Sequence, residues 1–205
     1  MNWKLIVKDK ANQPEKGTYT DWKEQIAEEC FFQCIYCSIN EAQFGGIDHY
    51  HIEHYKPKSI ERFKALENDI CNLFYSCPIC NRFKSNDWPN DADDLDIICY
   101  PDPSEYNYSE LFDVSTDDYK VNGKYVSTRY ITERLYLNRP QLLYERRETV
   151  LQHRAENVTK AIEALQEMID TQELLKESNK GVIELLKTTQ KRNNIRPYKL
   201  AEIRK

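Results

Sequence analysis

Apolar positions are spaced irregularly and are rich in aromatics over the first two thirds of the chain, and fall at helical spacing over the last third. The run WKLIV at residues 3–7 reads as a short strand, followed by the turn-forming ANQPEKGT. Trp22, Ile26 and Cys30 then recur at helical spacing behind Thr20 or Asp21, either of which can cap a helix running toward Phe32. Residues 47–55 are aromatic and β-branched and end before Pro57, which predicts a strand entering a turn. A second short strand is expected over 72–75. Pro78 suits a first helical position, because the N–H that it lacks would have no partner there, so a helix is expected over 78–84. Strand, strand and helix in that order make a small ββα unit. Further on, Asn122-Gly123 between YKV and KYVS predicts a hairpin over 118–128. Between residues 140 and 191 Leu142, Leu143, Val150, Leu151, Val158, Ile162, Leu165, Ile169, Leu174, Leu175, Val182, Ile183, Leu185 and Leu186 keep a helical period. Ser178-Asn179 and Gly181 predict its division into two helices.

A chain of 205 residues can bury one real core, and the change of pattern suggests a first domain over 1–138 and a helical extension over 139–205. Charged residues make up 31% and no apolar stretch approaches the roughly 18–20 residues of a membrane span, which predicts a soluble protein that needs no membrane. MNWKLIVKDK lacks the apolar length and cleavage pattern of a secretory leader, so the expected location is the cytoplasm. The net charge of −5 does not advertise a nucleic-acid binder, yet charge is segregated along the chain. No Lys or Arg occurs between Ser85 and Tyr119, whereas Lys187, Lys191, Arg192, Arg196, Lys199, Arg204 and Lys205 crowd the end.

Seven cysteines include two C-x-x-C pairs, Cys34-Ile-Tyr-Cys37 and Cys77-Pro-Ile-Cys80. In a chain that is not exported, paired cysteines argue for metal binding over a disulfide framework. Two such pairs supply the four thiolates of a closed zinc site, and the thirty-nine residues between them mean that the zinc clasps a whole structural unit. Cys30, Cys71 and Cys99 read as small buried hydrophobes.

Inside the clasp lies Asp48-His49-Tyr50-His51-Ile52-Glu53-His54-Tyr55-Lys56-Pro57, holding three of the protein's four histidines. A Glu-His pair where a strand ends in a turn can diverge around one reaction centre. Glu53 then offers a carboxylate oxygen to a hard divalent ion and His54 an imidazole to a water. His49 taken singly reads as an ordinary surface or core residue, and whether His51 joins the ion's shell stays open.

Cys-x-x-Cys, Glu-His-x-x-Pro-Lys, Asn-Leu and Cys-x-x-Cys-Asn-x-x-Lys, over residues 34–84, resemble the HNH (ββα-metal) endonuclease superfamily in its zinc-stabilised form. Tyr136-Leu137-Asn138-Arg139-Pro140 with Arg146-Arg147 is similar to the segment after the nuclease core in the HNH subunit of Septu-type and retron-associated anti-phage defence systems. The resemblance implies an α+β fold: a ββα-metal core clasped by a four-cysteine zinc knuckle, with a helical C-terminal extension. It makes His54 the general base, Glu53 and Asn81 ligands of a catalytic Mg or Mn ion, and Asn72 the residue that orients the base. Glu53 departs from the more usual Asp or His. Lys84 and Lys56 are expected to contact nucleic acid, and an ATPase is the expected partner subunit. The alternative is a non-catalytic zinc module that binds nucleic acid or protein.

Overall fold

The computed structural model describes residues 3–171 and 176–192, without the side chains of 169–171 and 176–178. The chain divides into two compact units, Met1–Tyr144 and Glu145–Lys205, so the division falls somewhat later than the change of pattern at 138.

The first segment is extended but forms no strand. Trp3 and Ile6 are buried while Leu5 and Val7 stand exposed, and one long hydrogen bond, Ile6 N to Pro103 O, replaces a ladder. Burial here does not alternate, since Trp3 and Ile6 lie inside with Lys4 and Leu5 exposed between them, and a strand also needs a neighbour to pair with. Helix α1 (Lys23–Glu29) follows, with Ile26 and Ala27 buried and Trp22 and Cys30 buried at its ends. Trp22 occupies the cap position, because the Asp21 carboxylate turns back to accept from the Thr18 N–H.

Strand β1 (His51–His54) pairs antiparallel with β2 (Leu73–Ser76), with Glu53 opposite Phe74 and His54 opposite Leu73. Residues 47–49 form a single 3-10 turn ahead of β1, so the strand is shorter than its aromatic run. All four residues of β2 are buried, as expected of a strand covered on both faces. Helix α2 (Pro78–Lys84) starts on its proline, and Cys77 Sγ accepts the Cys80 N–H as the cap. The ββα unit is thus present. Tyr50 stacks on Tyr75 beside it, centroids 4.8 Å apart.

Beyond it, α3 (Tyr108–Leu111) leads into β3 (Phe112–Val114), which pairs with β4 (Val121–Gly123). Asn122-Gly123 lies within β4 and not at the turn, which runs from Ser115 to Lys120. Burial decides this register: it puts Phe112 and Val121 inside, whereas the residues after Gly123 enter helix α4 (Val126–Arg134) and leave no strand for a turn at 122–123 to serve. Asp87 ties α4 to the segment after α2 by accepting from Tyr100 Oη at 2.8 Å and Arg134 Nε at 3.0 Å. Asn138 brackets Val121 of β4, accepting from its N–H and donating to its C=O.

Two helices follow, α5 (Pro140–Thr171) and α6 (Lys176–Arg192). Their division precedes residue 176, and Ser178, Asn179 and Gly181 all lie inside α6. A single glycine costs only about 1 kcal/mol in a helix, too little to end one by itself. No helix among the described residues is long and apolar enough to cross a membrane.

Candidate metal centre and adjoining cleft

The two cysteine pairs converge. Cys34 and Cys37 follow α1, Cys77 and Cys80 open α2, and their four buried sulfurs lie within 4.8 Å of one another. An ion bonded to four sulfurs at about 2.3 Å, at the centre of a tetrahedron, sets sulfur–sulfur edges of about 3.8 Å. Cys37 Sγ and Cys77 Sγ are 3.8 Å apart, far beyond a disulfide bond of about 2.05 Å. The cluster can therefore hold a metal ion such as zinc, and all four ligands are the cysteines that spacing singled out. Of the remaining cysteines, Cys30 and Cys99 are buried and Cys71 is half-buried. Burial pushes the Cys30 thiol up to about 12, against the opposing charge of Lys8.

Alongside, Glu53, His54 and Asn81 line one open cleft of about 420 Å³, together with Tyr19, Ile52, Pro57, Lys58, Ser59, Ser85 and Asn86. Strand β1 delivers Glu53 and His54 to adjacent positions, and α2 brings Asn81, which directly follows the last cysteine. The cysteine cluster thus stands at the start of the helix that carries Asn81, and the strand that carries the Glu-His pair lies between its two cysteine pairs in the chain.

His54 is held by its ring. Nε2 lies 3.0 Å from the Glu67 carbonyl oxygen, and the edge of Tyr19 packs on the imidazole with centroids 4.8 Å apart. A carbonyl oxygen can only accept, so the neutral ring carries its proton on Nε2 and keeps a lone pair on Nδ1. Burial lowers the His54 pKa, assisted by the charges of Lys58 and Lys84 and opposed by the Glu67 carbonyl, which keeps the neutral form present below the ordinary histidine range.

Asn72 is buried, and its hydrogen bonds go elsewhere than to His54. Its Oδ1 accepts the Lys56 N–H at 2.8 Å, and its Nδ2 donates to the carbonyls of Lys56 at 3.1 Å and Leu66 at 3.3 Å. It closes the loop from Lys56 to Leu66, whose next residue presents the carbonyl that orients the imidazole. Asn72 therefore acts on His54 through the backbone.

Lys84 departs most from its expected place. It is 0% exposed, its Nζ is 2.5 Å from Glu53 Oε1 and 3.0 Å from the His54 carbonyl oxygen, and it points into the protein. A lysine in that position cannot meet a phosphate at the surface, because a buried ammonium must keep the partner that offsets its desolvation. Glu53, itself 3% exposed, also accepts from Tyr36 Oη at 3.4 Å on the same Oε1, leaving Oε2 outside both contacts. Burial raises the Glu53 pKa and the Lys84 charge opposes that rise.

Lys56 and His51 are not among the cleft residues, and His51 is exposed at the start of β1. The cation that does line the cleft is Lys58, half-buried, with Nζ bonded to Glu67 Oε1 at 2.8 Å and to Tyr19 Oη at 2.7 Å. Sequence reasoning passed over Lys58 and Tyr19. Lys58 sits directly after the Pro57 of the Glu-His-x-x-Pro-Lys motif and could have been found there, but nothing local connects Tyr19 with a histidine thirty-five positions on.

Comparison with known protein families, with curated proteins and with solved structures gives no match to this chain.

Proposed function

We propose that the chain is a metal-dependent HNH endonuclease that hydrolyses phosphodiester bonds in DNA or RNA, with a structural zinc ion on Cys34, Cys37, Cys77 and Cys80. The observation that carries this reading is the His54 imidazole, fixed through Nε2 in the cleft it shares with Glu53 and Asn81. In that setting Nδ1 takes a proton from a water, the hydroxide attacks phosphorus, and the bond from phosphorus to the 3′ oxygen breaks. Glu53, through Oε2, and the Asn81 amide oxygen are the hard oxygen donors that would hold Mg or Mn. When bound, such an ion supplies positive charge to the phosphate and to the departing 3′ oxygen. Lys58, which lines the cleft, takes the phosphate-facing part for which Lys84 is too deeply buried.

The similarity of residues 136–147 to the corresponding segment of Septu-type subunits supports placing this nuclease in an anti-phage defence complex with an ATPase. The rival is a zinc module without catalysis. One contact favours it: the Glu53 carboxylate is already matched by Lys84 at 2.5 Å, which weakens its pull on a second cation. Incubating the purified protein with plasmid DNA and with total RNA across a titration of Mg and Mn separates the two. Cleavage that EDTA stops supports the nuclease; binding of either nucleic acid with no cleavage at any divalent-ion concentration supports the module.

A further inference from the structure

Arg139 lies outside the ββα unit, in the turn between α4 and α5, yet its guanidinium reaches the sulfur cluster. Nη1 is 3.7 Å from Cys80 Sγ, and Nη2 is 3.8 Å from the sulfurs of Cys37, Cys77 and Cys80. Nη1 also donates to the carbonyls of Leu135 and Tyr136, at 3.3 and 3.5 Å, and Nε is buried without a hydrogen-bond partner.

Four thiolates around one divalent ion leave a surplus of two negative charges. All four cysteines are buried, where surplus charge is costly to hold. A guanidinium is suited to offset it, being planar, permanently charged and more weakly hydrated than an ammonium. The contacts of Nη1 with carbonyls would suit an arginine that only ties off the end of α4. Nη2, however, makes its contacts with three sulfurs, and a tie of that kind gives no reason for it.

Resting on the reading of the four cysteines as a metal centre, we infer that Arg139 is the counter-ion and positioning residue of that centre. It offsets the surplus thiolate charge and so slows loss of the metal and attack on the thiols. The Leu137-Asn138-Arg139-Pro140 segment thereby gains a use inside the chain: Leu137 is buried, Asn138 brackets Val121, and Arg139 covers the sulfurs.

The test uses the full chain, with zinc content measured by elemental analysis and zinc release followed with a chromophoric chelator. Arg139→Gln keeps a polar amide but removes the charge; Arg139→Lys keeps the charge but removes the fork. The Gln variant is expected to release zinc about 10–100-fold faster than wild type, the range that follows loss of a metal site's outer partners. The Lys variant is expected to fall between the two, and alkylation of the thiols to follow the same order. Equal release from wild type and Gln variant, or release from the Lys variant as fast as from the Gln variant, overturns the inference. If the Gln variant does not fold, the Lys variant decides: zinc held within a few-fold of the wild-type rate supports the charge, and a zinc-free chain refutes it. A wild-type chain carrying no zinc at all overturns the metal reading and this inference together, so the two failures are distinguishable.

Discussion

His54 and Lys84 illustrate how much a side chain's surroundings decide. His54 keeps its ring fixed on a carbonyl and its second nitrogen available, so His54→Ala should remove a general base and lower cleavage by about 10²–10⁴-fold. The accompanying loss of stability should be only about 1 kcal/mol, measured by thermal unfolding, since few contacts are lost. Cleavage at the wild-type rate would remove His54 from the chemistry. Because the folded-state pKa lies below the ordinary value of about 6.5, the acid limb of the wild-type rate profile should have its midpoint below that value. The stability linked to neutral His54 is correspondingly present above the ordinary pKa and is lost as pH falls through the lowered one. Lys84 behaves differently. Lys84→Met leaves the Glu53 carboxylate buried and unpaired, which should cost about 3–5 kcal/mol in denaturant unfolding. Adding Glu53→Gln should recover part of that loss, and a double variant no more stable than the single one would show that the pair is not coupled.

At the scale of elements, the ββα unit has little length of its own to hold it together. Its two strands span only four residues each, and a two-stranded ribbon that short is marginal by itself. Cys34 and Cys37 on one side and Cys77 and Cys80 on the other tie the chain before β1 to the start of α2, and Asn72 closes the loop between the strands. Purified protein should therefore hold about one zinc per chain, seen in native mass spectrometry. Cys77→Ser removes a ligand while its hydroxyl can still cap α2, so loss of the metal and unfolding of this region, the expected outcome, would report on the ligand alone. A folded, metal-free wild-type chain in the same measurement would refute the clasp.

For the whole molecule, the unit Met1–Tyr144 contains both the cysteine cluster and the cleft, while Glu145–Lys205 contributes no described residue to either. By sequence, Leu174, Leu175, Val182 and Leu186 make the apolar face of the extension that a partner would cover. Val182 is 45% exposed and Leu186 half-buried on α6, and Leu174 and Leu175 lie outside the described residues. If the second unit serves association, deleting residues 170–205 should preserve folding and zinc content yet abolish co-purification with an ATPase partner. A truncated chain that aggregates, or that still binds the ATPase with wild-type affinity, would refute that role. A partner would also supply the basic surface that a chain of net charge −5 needs to approach a polyanion.

The sequence by itself determined the four metal-capable cysteines, the order strand, strand, helix between and after them, and Glu53-His54 as a pair at one centre; Asn81 joined them only through the family resemblance. Each rests on spacing or on a residue type with few uses: a C-x-x-C pair, a proline at a helix start, a Glu-His pair before a turn. It misplaced the hairpin turn at Asn122-Gly123, the strand at residues 3–7 and the break at Gly181, because local propensity yields where pairing and burial elsewhere outweigh it. Only the tertiary structure decided the fate of the cations. Lys84, Lys58 and Arg139 are chemically apt for a phosphate, but their environments assign one to a buried carboxylate, one to the cleft and one to the thiolates. Charge acts through space, and no pattern along the chain records which distant groups will lie within a few ångströms of it.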